Sequence, residues 1–369
     1  MSKAAELAAL IGSQTAQGNK NLIINGAMNV AQRSTSVTGN TAGGYLTCDR
    51  IKFVQNMGTW TVIQSSDAPS TEGFLNAYRI DCTTADTSVA ATDYLLVQQK
   101  IEGQNLQTLR KGTSSAKSVT LSFFVKSNTT GNFVIELYDN DNARQISALY
   151  TISSANTWEK KTVTFAGDTS GAFDDDNAES LQINWWLGAG SNYTSGTLNT
   201  SWASATTANR VVGTQNLAAS TDNDWAITGV QLEIGEVATA FEHEDFGTTL
   251  RKCQRYFSKS GLLATAPADT SDANTVTTAI DMSAGLLRTP VITFPVPMRA
   301  APTVTALEEG ALGGGSSGQW SYYQAGTWTY GAFTPTHITE FGYSGHGSGG
   351  GGDGDAYYMH INWKADADL

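Results

Sequence analysis

Three acidic stretches are the first places where side chains could do chemistry: Asp139-Asn140-Asp141, Asp174-Asp175-Asp176 and Asp222-Asn223-Asp224. Paired carboxylates serve glycosidases as acid and base when a cleft holds them at a fixed separation. They also serve calcium, which takes roughly six to eight oxygens from carboxylates, amides and backbone carbonyls. Asp and Asn are equally at home in the turns between strands. The three stretches therefore read first as turns, with structural calcium the one cofactor they leave open. Gly314-Gly315-Ser316-Ser317-Gly318 has the G-x-S-x-G spacing of a nucleophile elbow. No apolar strand precedes it and no helix follows, so it reads as a Gly/Ser loop. His243, His337, His346 and His360 lack the spacing of a transition-metal site. No catalytic residue and no metal ligand is predicted, and the chain is expected not to be an enzyme.

A glycine-rich aromatic tract is the most suggestive feature. Gly313–Gly315 and Gly349–Gly352 flank Trp320, Tyr322, Tyr323, Trp328, Tyr330 and Tyr343. Sugars stack their CH faces on such rings, and glycine lets a ligand approach the backbone. The six rings are the candidate ligand-binding residues, on a surface spanning residues 313–354. Alternating aromatics are also ordinary core residues of a small sandwich. Strand alternation puts Trp320 and Tyr322 on one face with Tyr323 opposite, and pairs Trp328 with Tyr330. One set can be core while the other meets solvent.

These residues need a scaffold of strands. The 369-residue chain is long enough for two domains with cores of their own. Only 15% of residues are charged, as in a turn-rich all-β surface protein. The net charge of −12 argues against nucleic acid or an anionic membrane as partner. No run approaches the roughly 20 apolar residues of a membrane helix, so no membrane insertion is expected. Cys48, Cys82 and Cys253 are odd in number and far apart, which predicts buried free thiols. No signal peptide is visible at the start, because Glu6 interrupts the Ala/Leu run. Synthesis and assembly in a cytoplasm are expected.

Along the chain, 1–20 reads as a short helix and linker. Its apolar stripe of Leu7, Leu10 and Ile11 is too short to hold a helix alone, so it either docks on a partner surface or is a frayed terminus. A β-domain follows over 21–245. Asn21–Arg33 reads as its opening strand, with a turn at Asn25-Gly26 where positive φ is accepted, and Asp224–Gly235 as its closing strand, with a bulge at Gly229. Between them come Arg50–Gln55, Trp60–Gln64, Asn76–Cys82, Tyr94–Ile101, Ser118–Ser127, Asn132–Tyr138, Trp158–Phe165 and Leu181–Leu187. Phe246, Leu250 and Cys253 predict a connector helix within 246–257. A second β-domain with Gly/aromatic-rich loops fills 258–369. The expected fold class is all-β, an antiparallel β-sandwich followed by a smaller C-terminal one.

The stretches Asn21–Arg33, Cys48-Asp49-Arg50, Ile227–Gly235, Phe241-Glu242-His243, Cys253–Phe257, Phe294–Thr303 and Trp363–Asp368 together resemble a family of bacteriophage tail-fibre and virion-surface proteins. The β-sandwich of that family is similar to carbohydrate-binding modules of jelly-roll form. The resemblance implies a structural virion protein, a tail fibre that attaches to a host-surface glycan or protein. It implies a homotrimer joined to other virion proteins through the N-terminal segment, Leu7, Leu10 and Ile11 included. A capsid-decorating head fibre and a polysaccharide depolymerase are the alternatives.

Overall fold

The computed structural model describes residues 20–261, 263, 276–281, 285–307, 318–324, 327–349 and 356–369. The expected N-terminal helix with Leu7, Leu10 and Ile11, the Gly314–Gly318 loop up to residue 317, and most of the Gly349–Gly352 loop lie outside the described residues. The chain divides into two units. One is formed by residues 20–29, Ser36–Asp245 and Leu369, the other by Val30–Thr35 and Phe246–Asp368.

The strands of the first unit are β1 Ser36–Asn40, β2 Gly44–Tyr45, β3 Lys52–Gln55, β4 Thr59–Ser65, β5 Ala77–Thr84, β6 Tyr94–Glu102 and β7 Val119–Ser127. They continue with β8 Gly131–Asp139, β9 Arg144–Ile152, β10 Glu159–Phe165, β11 Glu179–Ala189, β12 Ala203–Ser204 and β13 Asp224–Ile234. They form a six-stranded sheet, β1-β4-β5-β13-β7-β10, and a seven-stranded sheet, β12-β9-β8-β11-β6-β3-β2. Every pairing is antiparallel.

Period-two patterning explains the arrangement. Leu121, Phe123 and Val125 of β7 point inward, as do Phe133, Ile135 and Leu137 of β8. Between the sheets, Phe123 meets Tyr150 and Trp185 edge to face at centroid distances of 5.3 and 6.1 Å. Trp225 Nε1 donates to the Tyr150 hydroxyl at 3.2 Å, so the indole N–H is satisfied inside the core. Cys48, Cys82 and Cys253 are buried thiols that form no disulfide, as their spacing predicts. Burial pushes the Cys48 thiol well above its ordinary pKa, with the neighbouring Asp49 carboxylate adding to the shift.

Two expectations are corrected. Asn21–Arg33 is not a strand. It is tied to β13 by Leu22 N–H donating to Leu232 O at 2.9 Å and by Asn21 Nδ2 donating to Val230 O at 3.1 Å. Asn25, at φ 62°, makes the turn expected at Asn25-Gly26, and Met28, at φ 57°, turns the chain again where a strand is expected. The second correction is an addition, β9, whose Ile146, Ala148, Tyr150 and Ile152 alternate into the core. The bulge is where the sequence puts it. The β13–β7 register shifts between Thr228 and Gln231, around Gly229 at φ +62°.

The helix Phe246–Gln254 opens the main segment of the second unit and buries Thr249 and Cys253, while Phe246 is half exposed. The strands are β14 Phe257–Lys259, β15 Val276–Asp281, β16 Leu286–Arg288, β17 Ile292–Thr293, β18 Thr303–Leu307, β19 Gln319–Gln324, β20 Thr327–Thr339, β21 Gly342–Ser348, β22 Ala356–His360 and β23 Asn362–Asp366. One sheet is β14-β23-β18 and the other β16-β15-β22-β19-β20-β21-β17. An added β16–β21 pairing closes six strands of the larger sheet on themselves. Segment 30–35 belongs to this unit. There Gln32 Nε2 donates to Phe257 O at 2.8 Å, and the Arg33 guanidinium lies 3.7 Å over the Phe257 ring.

Candidate functional site

The outward face of the seven-stranded sheet is built by register. Val54, Leu96, Trp186 and Val134 stand opposite one another across β3, β6, β11 and β8. Two residues along, the same strands align Lys52, Gln98, Asn184 and Glu136. Two further on, Lys100, Gln182 and Tyr138 form a third row. The sheet thus carries one apolar row and two polar ones.

The apolar row is covered. Val211, with Tyr193 and Leu198 beside it, packs on Leu96, Val134 and Trp186. Tyr193 meets Trp186 at a centroid distance of 5.5 Å and Tyr94 at 6.4 Å. The polar rows form one hydrogen-bonded network around Glu136, which is fully buried. Arg210 donates Nε and Nη2 to the two carboxylate oxygens at 2.7 and 2.8 Å. Asn184 Nδ2 and Trp186 Nε1 add bonds of 3.0 and 2.9 Å to one of those oxygens. Burial alone would lower the Arg210 pKa; the Glu136 carboxylate more than offsets it and holds that pKa above its ordinary value.

The network extends by amides. Gln98 Nε2 donates to Asn184 Oδ1 at 2.7 Å and to Gln182 Oε1 at 3.0 Å. Glu179 takes bonds from Gln182 Nε2 and Lys100 Nζ. Gln98 and Asn184 are buried, while Lys52, Lys100, Tyr138 and Gln182 are half-buried at the open side. The Arg210 guanidinium lies 4.8 Å from the Tyr138 ring centroid, which fixes that ring. The face therefore offers fixed donors, acceptors and an aromatic edge. The carboxylates of Glu136, Glu179 and Glu102, the last opposite Glu179, are already committed to cations and amides.

The six aromatic candidates of the second unit are placed differently. Trp320 and Tyr343 are fully buried and Tyr322 is buried, all three in the core with Phe294, Phe333 and Trp363. Trp320 lies 4.9 Å from Phe333, and Tyr343 lies 6.0 Å from both Phe294 and Trp363. Tyr323 points the other way and is 46% exposed. Tyr330 is half-buried, and the Trp328 side chain is outside the described residues. The glycines of β21 fit against these rings. A Cβ at Gly345 would lie 2.0 Å from Phe333 Cζ, and one at Gly347 would lie 2.6 Å from Trp320 Cζ2. Close approach of ring to backbone requires glycine at both positions.

Of the acidic stretches, Asp174–Asp176 is exposed and turn-like, with Asp176 Oδ1 accepting from Ala178 N–H at 2.9 Å. Asp224 accepts from Asn128 N–H and pairs with Arg79. Asp139 is fully buried, and its carboxylate takes the Lys111 ammonium at 2.5 Å. That ammonium also donates to the carbonyls of Ser170 and Gly171 at 3.0 and 2.7 Å. Among the described residues no group of three or more His, Cys, Asp or Glu side chains is arranged to hold a metal ion.

The sequence reading missed Gln98, Lys100, Glu136, Tyr138, Gln182, Asn184 and Arg210. Their signal is present as polar residues two apart within strands of core alternation: Gln98 and Lys100, Glu136 and Tyr138, Gln182 and Asn184. Only the register between strands shows that they meet.

No family model matches the chain. No curated protein matches it either. Solved structures do. The enzymatically active domain of bacteriophage CBA120 tailspike protein 4 aligns at 13% identity and a TM-score of 0.30 over 58% of this chain and 22% of its own, so the match spans about a fifth of the tailspike chain. The family 11 carbohydrate-binding module of cellulase Lic26A-Cel5E from Clostridium thermocellum aligns at 14% identity and 0.27, over 57% of this chain and 99% of the module. The CBM22-1–GH10 modules of xylanase 10B from the same organism, complexed with xylohexaose, align at 10% identity and 0.27, over 58% and 30%.

Proposed function

We propose that the chain is a non-enzymatic glycan-binding protein of a virion surface, and that it holds a saccharide on the outer face of its seven-stranded sheet. The observation that carries this reading is the row of Lys100, Gln182 and Tyr138, backed by the buried Gln98–Asn184–Glu136–Arg210 network. Sugar hydroxyls both donate and accept, and amides answer both demands. A half-buried tyrosine can give its hydroxyl to sugar hydroxyls and its π face to the CH-rich face of a pyranose. Because the network already fixes the side chains, little rotamer freedom is lost on binding.

The same geometry favours binding over hydrolysis. A glycosidase keeps one carboxyl free to give a proton and another free to take or attack. Glu136 is engaged by Arg210, Asn184 and Trp186, and Glu179 by Lys100 and Gln182. The virion setting, a tail fibre built as a homotrimer and attached through Leu7, Leu10 and Ile11, rests on the sequence resemblance and on that apolar stripe.

The test is a carbohydrate array of bacterial surface polysaccharides probed with the full chain and with the Tyr138→Ala/Gln182→Ala double variant. Binding by the native protein and its loss in a folded double variant is expected. An empty array, or equal binding by both proteins, sinks the reading. New reducing ends after incubation with a bound polysaccharide would show a depolymerase instead. Light scattering at three times the monomer mass is expected, and a stable monomer would remove the trimer. Deletion of residues 1–19 should abolish incorporation into particles. Electron microscopy of labelled particles decides tail against capsid.

A further inference from the structure

At the edge of the first sandwich, β9 of one sheet and β10 of the other line a groove of about 730 Å³. That volume lies within the ~300–1,000 Å³ of small-molecule sites. The walls come from 144–149, 164–170 and 198–202. They combine the exposed Ser201 with the Leu149 side chain and the Trp202 ring, while the Ser147 and Thr164 hydroxyls are bonded to Arg210 O and to Thr120 Oγ1 and Glu236 O. We propose that this groove is a second ligand site, on strands other than those of the open polar row, and that it takes a short neutral saccharide.

Charge decides the ligand class. Arg144 donates Nε and Nη2 to the two oxygens of Asp168 at 2.6 and 2.9 Å. Behind them Lys111 Nζ lies 2.5 Å from Asp139 and 3.2 Å from Asp168. Two cations and two carboxylates cancel, so the groove offers no spare charge to an anion or a cation. Trp202 supplies the platform. Its Nε1 donates to Ala166 O at 2.8 Å, and it lines both the groove and a small inner cavity where Lys111 and Phe173 sit. The indole thus stands as a fixed partition, ready to stack a pyranose.

An extended peptide fits less well. The outer edge of β9 is taken by β12 at Gln145, and Ser147 N–H donates to Asn199 O at 2.6 Å. Alternation leaves Leu149 and Thr151 as outward-facing backbone positions beyond them. That leaves about three residues of free edge, the lower end of the roughly 3–10 residues of an ordinary strand pairing.

The test is saturation-transfer NMR on the full chain carrying Tyr138→Ala and Gln182→Ala, so that the sheet face contributes nothing. The probes are maltotriose, cellotriose and N-acetylchitotriose, each at up to about 10 mM. Transfer to at least one is expected, with affinity about tenfold weaker on adding Trp202→Leu. It should vanish on adding Ser201→Arg, which fills the groove from an exposed position and removes no buried contact. No transfer from any of the three sugars overturns the proposal, as does equal transfer in the folded Trp202→Leu and Ser201→Arg proteins. Transfer to a randomised hexapeptide mixture, lost in Ser201→Arg while the sugars give none, would make the groove a peptide site and overturn the saccharide assignment.

Discussion

Trp320 in the second unit and Tyr138 in the first are both aromatic residues on interior strands of a sheet, and they are set in opposite surroundings. Trp320 lies over Gly347 and against Phe333, with no exposed surface. Tyr138 stands beside Gln182 across a strand pair, half-buried, with the Arg210 guanidinium on its ring. A ring whose neighbours are glycines and other rings fills volume. A ring whose neighbours are amides and a cation keeps an edge for something else. The density of aromatics along a stretch therefore does not separate core rings from surface ones; the company each ring keeps does.

Mutation can break this contrast at its strongest point first. Trp320→Ala should destabilise the second unit by about 4 kcal/mol, the usual range for truncating a buried large aromatic. Urea unfolding measures it, and a variant of native stability that fails to bind glycan would return Trp320 to the ligand surface. Glu136→Gln should cost the first unit about 3 kcal/mol, because Arg210 loses its bidentate partner inside the protein. A loss below about 1 kcal/mol would mean that the network is open to water and not pre-organised.

Acid should test the buried ion pairs of the first unit. Burial would raise the Asp168 pKa, but bonds from Arg144, Ser170 N–H and Lys111 together hold it below the ordinary value. A depressed folded pKa contributes stability that is present above the unfolded value of about 3.9 and is lost as pH falls through the folded one. Unfolding midpoints followed from pH 6 down to pH 2 should therefore fall more steeply for the native chain than for Asp168→Asn; parallel curves would remove Asp168 from the account.

Smaller effects sharpen the comparison. Tyr138→Ala alone should weaken glycan binding by about 1 kcal/mol and leave the unfolding midpoint nearly unchanged. Tyr323→Ala should change stability by less than about 0.5 kcal/mol, since the ring is exposed. If Tyr323→Ala instead reduces adsorption to cells, a ligand surface exists on the outer side of β19.

Much of the first unit was legible because a strand with one buried face writes its period into the sequence. Val119–Ser127, Gly131–Asp139 and Asp224–Ile234 lie within a residue or so of where alternation places them. Asn21–Arg33 misled because Leu22, Ile23 and Ile24 look like a strand, whereas Asn25 and Met28 adopt left-handed backbone that no sequence pattern announces for methionine. Within the tract Trp320–Tyr343 the alternation is right, with Trp320 and Tyr322 inward and Tyr323 outward. Which set is core depends on Gly345 and Gly347 lying under rings from β19 and β20, and that is long-range information. The polar rows were hidden for the same reason, since Gln98, Asn184 and Glu136 are far apart in sequence and meet only through register.

The Lys111 ammonium, held by Asp139, Asp168 and the carbonyls of Ser170 and Gly171, has a consequence for where this protein can work. An oxygen cage of this kind needs a positive charge at its centre, and here the chain carries that charge on its own tether. A tethered ion has an occupancy that neither dilution nor a chelator can alter. The loop over residues 166–173 is thus held by a charge the chain supplies itself, at a point where other loops borrow one from an added ion.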